Sequence, residues 1–191
     1  RGFRETKWVD PLVVKEPAGE QEVYDLTEPM SHSMICQGLV IRQCGEQPLL
    51  SYESCNLGSI DLERHMARGS GGRWDVDWKK LERTVRTAAH LLDNVIDMNA
   101  YPVKQIEEMT MATRKIGLGV MGFARMLFML EVAYDAEEGV EWGRRVMKFI
   151  KDVGYDESHK LAEVRGPYPA WIGSRHWEQG VKVRNSYVTT V

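Results

Sequence analysis

"QCGEQPLLSYESCNLGSIDL", residues 43–62, sets two of the chain's three cysteines, Cys44 and Cys55, in one short stretch and places a carboxylate, Glu46, two positions after the first thiol. Pro48, Gly58 and Ser59 punctuate it, so the stretch reads as extended and turn-rich rather than helical. In an extended segment residues two apart project to the same face, so Cys44 and Glu46 share one side, and Gly45 between them admits a ligand or another backbone. A thiol beside a carboxylate can couple sulfur chemistry to proton transfer, because the carboxylate exchanges a proton with a substrate hydroxyl while the sulfur reacts at a neighbouring atom. Cys55 serves as a reductant if the fold brings it near another thiol. Inert burial of the cysteines as small hydrophobes competes with this reading. So does a zinc site drawn from Cys36, Cys44, Cys55 and His65, although no Cys-x-x-Cys pair is present.

The rest of the 191-residue chain narrows the class. Its 43% hydrophobic and 28% charged residues are those of a globular protein, and a net charge of −3 gives no sign of a nucleic-acid-binding surface or a polybasic membrane anchor. The longest apolar stretch, Ile116 to Leu130, is broken by glycines and Arg125, so no spanning helix or secretory signal is expected, and the expected compartment is the cytoplasm. An odd number of cysteines does not make a secreted disulfide framework.

Outward from the opening stretch, "ARGSGGRWD" reads as a polar glycine loop. A helix follows, with Trp78, Leu81, Val85, Ala88, Leu92, Val95 and Asn99 at three- and four-residue steps and Asp75 or Asp77 as its cap. A second helix begins near Val103 with a stripe of Ile106, Met109 and Ala112. Gly117 and Gly119 flank Leu118 in an alternating pattern that suits a short strand, and helix resumes at Gly122. Asp135 to about Arg165 is a long amphipathic pattern closed by Gly166 and Pro167, and "VRNSYVTTV" reads as a strand. The methionines from Met109 to Met129 read as core filler. The Gly-x-Gly-x-x-Gly spelling at Gly117, Gly119 and Gly122 lacks the context of a dinucleotide fingerprint. Residues 1–40 hold no sustained periodicity and are assigned strand and loop.

"CGEQPLLSYESCNLGSIDL" resembles the finger-loop region of ribonucleotide reductases, in detail that of the adenosylcobalamin-dependent class II enzymes. "LLDNVIDMNAYPVKQIEEMTMATRKIGLGVMGFARML", "GPYPAW" and "RNSYVTTV" are similar to the same family in the same order, so the resemblance covers residues 43–191. It implies an α/β fold, this chain being an α-rich part of a ten-stranded α/β barrel whose central loop carries a reactive cysteine. It also implies reduction of ribonucleotides to 2′-deoxyribonucleotides for DNA synthesis by a thiyl-radical mechanism. By the resemblance Cys44 matches the cysteine that becomes the thiyl radical, Glu46 the carboxylate that takes the 3′-hydroxyl proton, and Cys55 one member of the reducing pair that ends as a disulfide. Arg42, Gln43, Cys44, Gly45 and Glu46 border the substrate. Adenosylcobalamin supplies the radical, a thioredoxin-type reductant restores the thiols, and allosteric nucleotides and a homodimer belong to the full-length enzyme.

The sequence departs from the family at Arg42 and Gln43, which stand where the family has asparagine and proline; an arginine donates hydrogen bonds but accepts none. Upstream of Gln43 the resemblance stops, and residues 1–42 are left unassigned, read as a shifted frame or a divergent join. The family continues beyond "VTTV" into a Pro-Thr-Gly loop that binds substrate phosphates. The chain is therefore expected to be a piece of a catalytic subunit, residues 43–191 forming a partial barrel domain that is inactive in isolation. The alternatives are the large subunit of a class I enzyme, which takes its radical from a separate subunit, and a non-catalytic helical binding module.

Overall fold

The computed structural model describes residues 33–36, 39–42, 49–69 and 71–189. The chain divides into two compact units, residues 1–45 and 46–191. In the first, β1 (Ser33–Cys36) and β2 (Leu39–Arg42) pair antiparallel, with Cys36 opposite Leu39 and Ser33 opposite Arg42.

The second unit is built on α1 (Trp78–Met98), which begins where the hydrophobic stripe begins. Asp77 caps it: its carboxylate accepts from the backbone N–H of Lys80 at 3.0 Å, satisfying one of the donors a helix start leaves open. The buried face of α1, Leu81, Val85, Ala89, Leu92 and Ile96, packs against Val146, Ile150 and Val153 of α4 (Glu137–Arg165). Between them in sequence lie α2 (Lys104–Thr113), β6 (Ile116–Met121) and α3 (Phe123–Met129); α2 and β6 carry the glycine alternation and stripe noted above. Of the methionines in this stretch, Met126 is fully buried in the core, whereas Met121 is exposed.

Parallel pairing joins β3 (Asn56–Asp61) to β6 over its full length, Asn56 opposite Ile116 through Asp61 opposite Met121. Its glycines leave room: Gly58 of β3 sits in van der Waals contact with the Leu92 side chain of α1. The other edge of β6 takes the C-terminal segment, where the N–H groups of Ile116 and Leu118 donate to the carbonyls of Tyr187 and Val188 at 3.0 and 2.9 Å and Thr189 forms a bridge to Leu118. Among its described residues "VRNSYVTTV" forms that single bridge rather than the expected strand, because Ser158 accepts from the N–H groups of Arg184 and Asn185 and the Thr113 carbonyl accepts from that of Ser186.

Another feature differs from the reading of the sequence. The glycine loop "ARGSGGRWD" is the tip of a hairpin, β4 (Met66–Arg68) paired with β5 (Trp74–Val76), strands too short to show a period. Gly117 and Gly119 lie inside β6, and only Gly122 stands between that strand and α3, so the glycines do not form the loop after a strand that a dinucleotide fingerprint needs. Gly122 has φ +75°, and a Cβ built on it would lie 2.5 Å from a carboxylate oxygen of Asp61. A fifth α-helix, the short α5 (Arg175–Glu178), follows "GPYPAW". Among the described residues no helix is long and apolar enough to cross a membrane.

Candidate active site

Residues 49–61 are the described limb of the opening stretch, and three side-chain contacts fix it to three different elements. Glu53 is buried; its Oε2 accepts from the Leu50 backbone N–H and from Lys115 Nζ, both at 2.8 Å, while the Glu53 N–H donates back to the Leu50 carbonyl at 3.0 Å. This closes a turn in which Tyr52 takes φ 64°, and it ties the turn to the residue just before β6. Ser54 and Thr110 of α2 share a hydroxyl hydrogen bond of 2.7 Å. Asn56 donates from its side-chain amide to the Leu92 carbonyl of α1 at 3.2 Å. Cys55, half-buried, stands between the last two anchors and immediately before β3. A side chain with fixed neighbours on both sides loses little freedom when it reacts, which is what a thiol with a positional role needs.

Cys44, Gly45, Glu46 and Gln43 lie outside the described residues; Arg42 closes β2. His65, weighed as a zinc ligand, is buried and commits both ring nitrogens, Nδ1 to the Asp61 carbonyl at 2.8 Å and Nε2 to the Thr84 hydroxyl at 2.9 Å. It holds the turn after β3 against α1 and has no lone pair to offer a metal. Among the described residues no cluster of three or more His, Cys, Asp or Glu is placed to hold a metal ion.

Behind the limb lies a polar hub that the reading of the sequence did not single out. Asp93 of α1 is fully buried. Its Oδ1 accepts from Arg114 Nε and Nη2 at 3.0 and 2.8 Å and from the Asn185 amide at 3.0 Å, and its Oδ2 accepts from Arg165 at 3.0 Å. Arg114 ends α2 in the left-handed conformation, φ 47°, and its other guanidinium nitrogen reaches Asp97 at 2.7 Å. That hydrogen bond from Arg114 holds the Asp97 carboxyl below the usual carboxylate range, against the opposing effect of burial. Asn185 also donates to the Arg114 carbonyl at 3.1 Å and accepts from Ser158 at 2.9 Å. One buried carboxylate thereby joins α1, the α2–β6 junction, α4 and the C-terminal segment. Every buried charge there is matched by donors, the condition under which such a network fixes a unique geometry. Its signal in the sequence was present, since Asp93, Arg114 and Asn185 sit inside "LLDNVIDMN", "RKIG" and "RNSY", but each reads alone as a surface charge or turn residue.

Comparison with known proteins bears on the same segment. The family model "Ribonucleotide reductase, barrel domain" matches residues 42–190. The chain is 53% identical over 148 residues to a vitamin B12-dependent ribonucleoside-diphosphate reductase of Thermoplasma acidophilum, and 48% identical over 148 residues to one of Mycobacterium tuberculosis, each match covering 78% of this chain. It is 35% identical over 170 residues, 89% of this chain, to a ribonucleoside-diphosphate reductase subunit alpha of Chlamydia trachomatis. The matches span 19%, 20% and 15% of those three relatives, so the chain corresponds to about a fifth of the length of the first two.

Proposed function

The chain belongs to the ribonucleotide reductase family, and from that premise we propose that residues 43–191 are the finger loop and flanking helices of a cobalamin-dependent enzyme reducing ribonucleotides to 2′-deoxyribonucleotides. The observation that carries this is the anchored limb: a thiol at Cys55 flanked by Glu53, Ser54 and Asn56, which contact Lys115, α2 and α1, eleven residues after a second thiol paired in sequence with a carboxylate.

The roles divide by chemistry. Cys44 takes the part of the radical-bearing thiol, since a thiol gives up its hydrogen atom more readily than any other side chain here. Glu46 accepts the proton of the substrate 3′-hydroxyl, and Gly45 lets the ribose approach the backbone between them. Cys55 supplies reducing equivalents, ending in a disulfide that a thioredoxin-type protein reduces. Arg42 and Gln43 border this site on the side where the family has asparagine and proline.

Adenosylcobalamin, when bound, supplies the initiating radical. The side chains present suit a cofactor that brings its own ring ligands, because what it requires of this segment is a thiol rather than a set of metal donors. The greater identity to B12-dependent relatives than to the subunit alpha relatives favours this class over one that draws its radical from a second subunit.

The test is a chimera in which residues 44–191 replace the matching segment of the Thermoplasma acidophilum relative, whose own residues are kept upstream. Deoxyribonucleotide formation that requires adenosylcobalamin and vanishes in Cys44→Ser is the expected result. Turnover that ignores the cobalamin, or that survives Cys44→Ser, overturns the reading.

A further inference from the structure

Residues 49–55 contain neither helix nor strand, so the limb that ends at Cys55 takes its position from the contacts of Glu53, Ser54 and Asn56. Each of those contacts lands beside a group held at Arg114. Asn56 donates to the Leu92 carbonyl, and the next carbonyl of α1, that of Asp93, accepts from Arg114 Nη2 at 3.0 Å. Ser54 meets the hydroxyl of Thr110, whose carbonyl accepts from the Arg114 backbone N–H at 2.8 Å. Glu53 meets Lys115, and the carbonyl of the peptide joining Arg114 to Lys115 accepts from the Asn185 amide at 3.1 Å.

We infer that Arg114 is a positioning residue for the Cys55 thiol, acting through Leu92, Thr110 and Lys115. Its guanidinium is buried, with Nε and Nη2 on Asp93 and Nη1 on Asp97, so a planar fork fixes its orientation as the single point charge of a lysine does not. A displacement of Arg114 moves all three anchors of the limb together. The chemistry that Cys55 serves is sensitive to such a shift. Two thiols give up two electrons and two protons, the ribonucleotide 2′-hydroxyl leaves as water, and the sulfurs join along one direction, so a small misplacement of either costs rate steeply. The task of Cys55 comes from the reductase reading, on which this inference rests; the anchoring of the thiol does not depend on it.

Two measurements on Arg114→Lys test the role. In the full 191-residue chain, alkylation of Cys55 by iodoacetamide, followed by peptide mass in urea below the unfolding transition, should be faster by about 10-fold or more. The increase should be independent of urea, because a freed limb opens without exposing the core. In the fully reduced chimera, the rate at which Cys55 enters its disulfide in a single turnover should fall by roughly 10- to 100-fold, while the KM for ribonucleotide in steady-state turnover stays unchanged. A thiol that is easier to reach yet slower to react is displaced, which general loosening of the fold does not produce. Ser54→Ala, which removes one anchor, should shift both rates the same way by less, and combined with Arg114→Lys should add less than its separate effect, since both act on one limb.

An unchanged alkylation rate, an increase that grows with urea, or an unchanged single-turnover rate overturns the inference and leaves Arg114 with a structural task alone. Should Arg114→Lys fail to fold, Asp97→Asn, which weakens one arm of the fork at a half-exposed carboxylate, is read by the same criteria. A wild-type chimera without turnover counts against the reductase reading, and the alkylation rates then decide the anchoring by themselves.

Discussion

Glu53 and Lys115 decide how well the limb that bears Cys55 is held. The Glu53 side chain is completely buried and that of Lys115 is 16% exposed, and Oε1 of Glu53 has no hydrogen-bond partner. Lys115 is thus the charge that makes the burial of Glu53 tolerable. Its replacement by methionine keeps the aliphatic stem but leaves a buried carboxylate uncompensated, a change that costs about 3–5 kcal/mol. Denaturant unfolding of Lys115→Met should show a loss of that order, and the double variant Glu53→Gln, Lys115→Met should recover much of it, since a neutral amide asks less of its surroundings. Equal stability of the single and double variants would mean that the pair is not what holds the turn.

At the scale of elements, the C-terminal segment reaches β6 only because α4 carries a glycine where the two cross. A Cβ on Gly154 would lie 2.8 Å from Cγ1 of Val188, which is fully buried. Gly154→Ala should therefore destabilise the second unit by about 1–3 kcal/mol through overpacking, and adding Val188→Ala should relieve part of that cost. Thermal melts of the two variants provide the check. Local signals made most of these elements legible in the sequence: the stripe and Asp77 for α1, the glycine alternation for β6, Gly166 for the end of α4. What escaped was either too short or too distant. Three-residue strands such as β4 and β5 show no period, and the Asp93 hub joins residues 21 to 92 positions apart, which no window along the chain can pair. The anchoring role of His65 escaped for the same reason, because its second partner, Thr84, lies 19 positions away on α1.

Across the whole molecule, the family and the α-rich α/β character of residues 43–191 were readable from motif order, while residues 1–42, which carry none of those motifs, were left unassigned. The proposed thiol roles rest on Cys55 being the thiol consumed and Cys44 the one returned unchanged. The decisive measurement is to reduce the chimera fully, give it ribonucleotide and adenosylcobalamin without external reductant, and map its cysteines by mass after a single turnover. The account predicts Cys55 in a disulfide and Cys44 still a thiol for each deoxyribonucleotide formed. Cys44 found oxidised, or product formed with Cys55 still reduced, would contradict it.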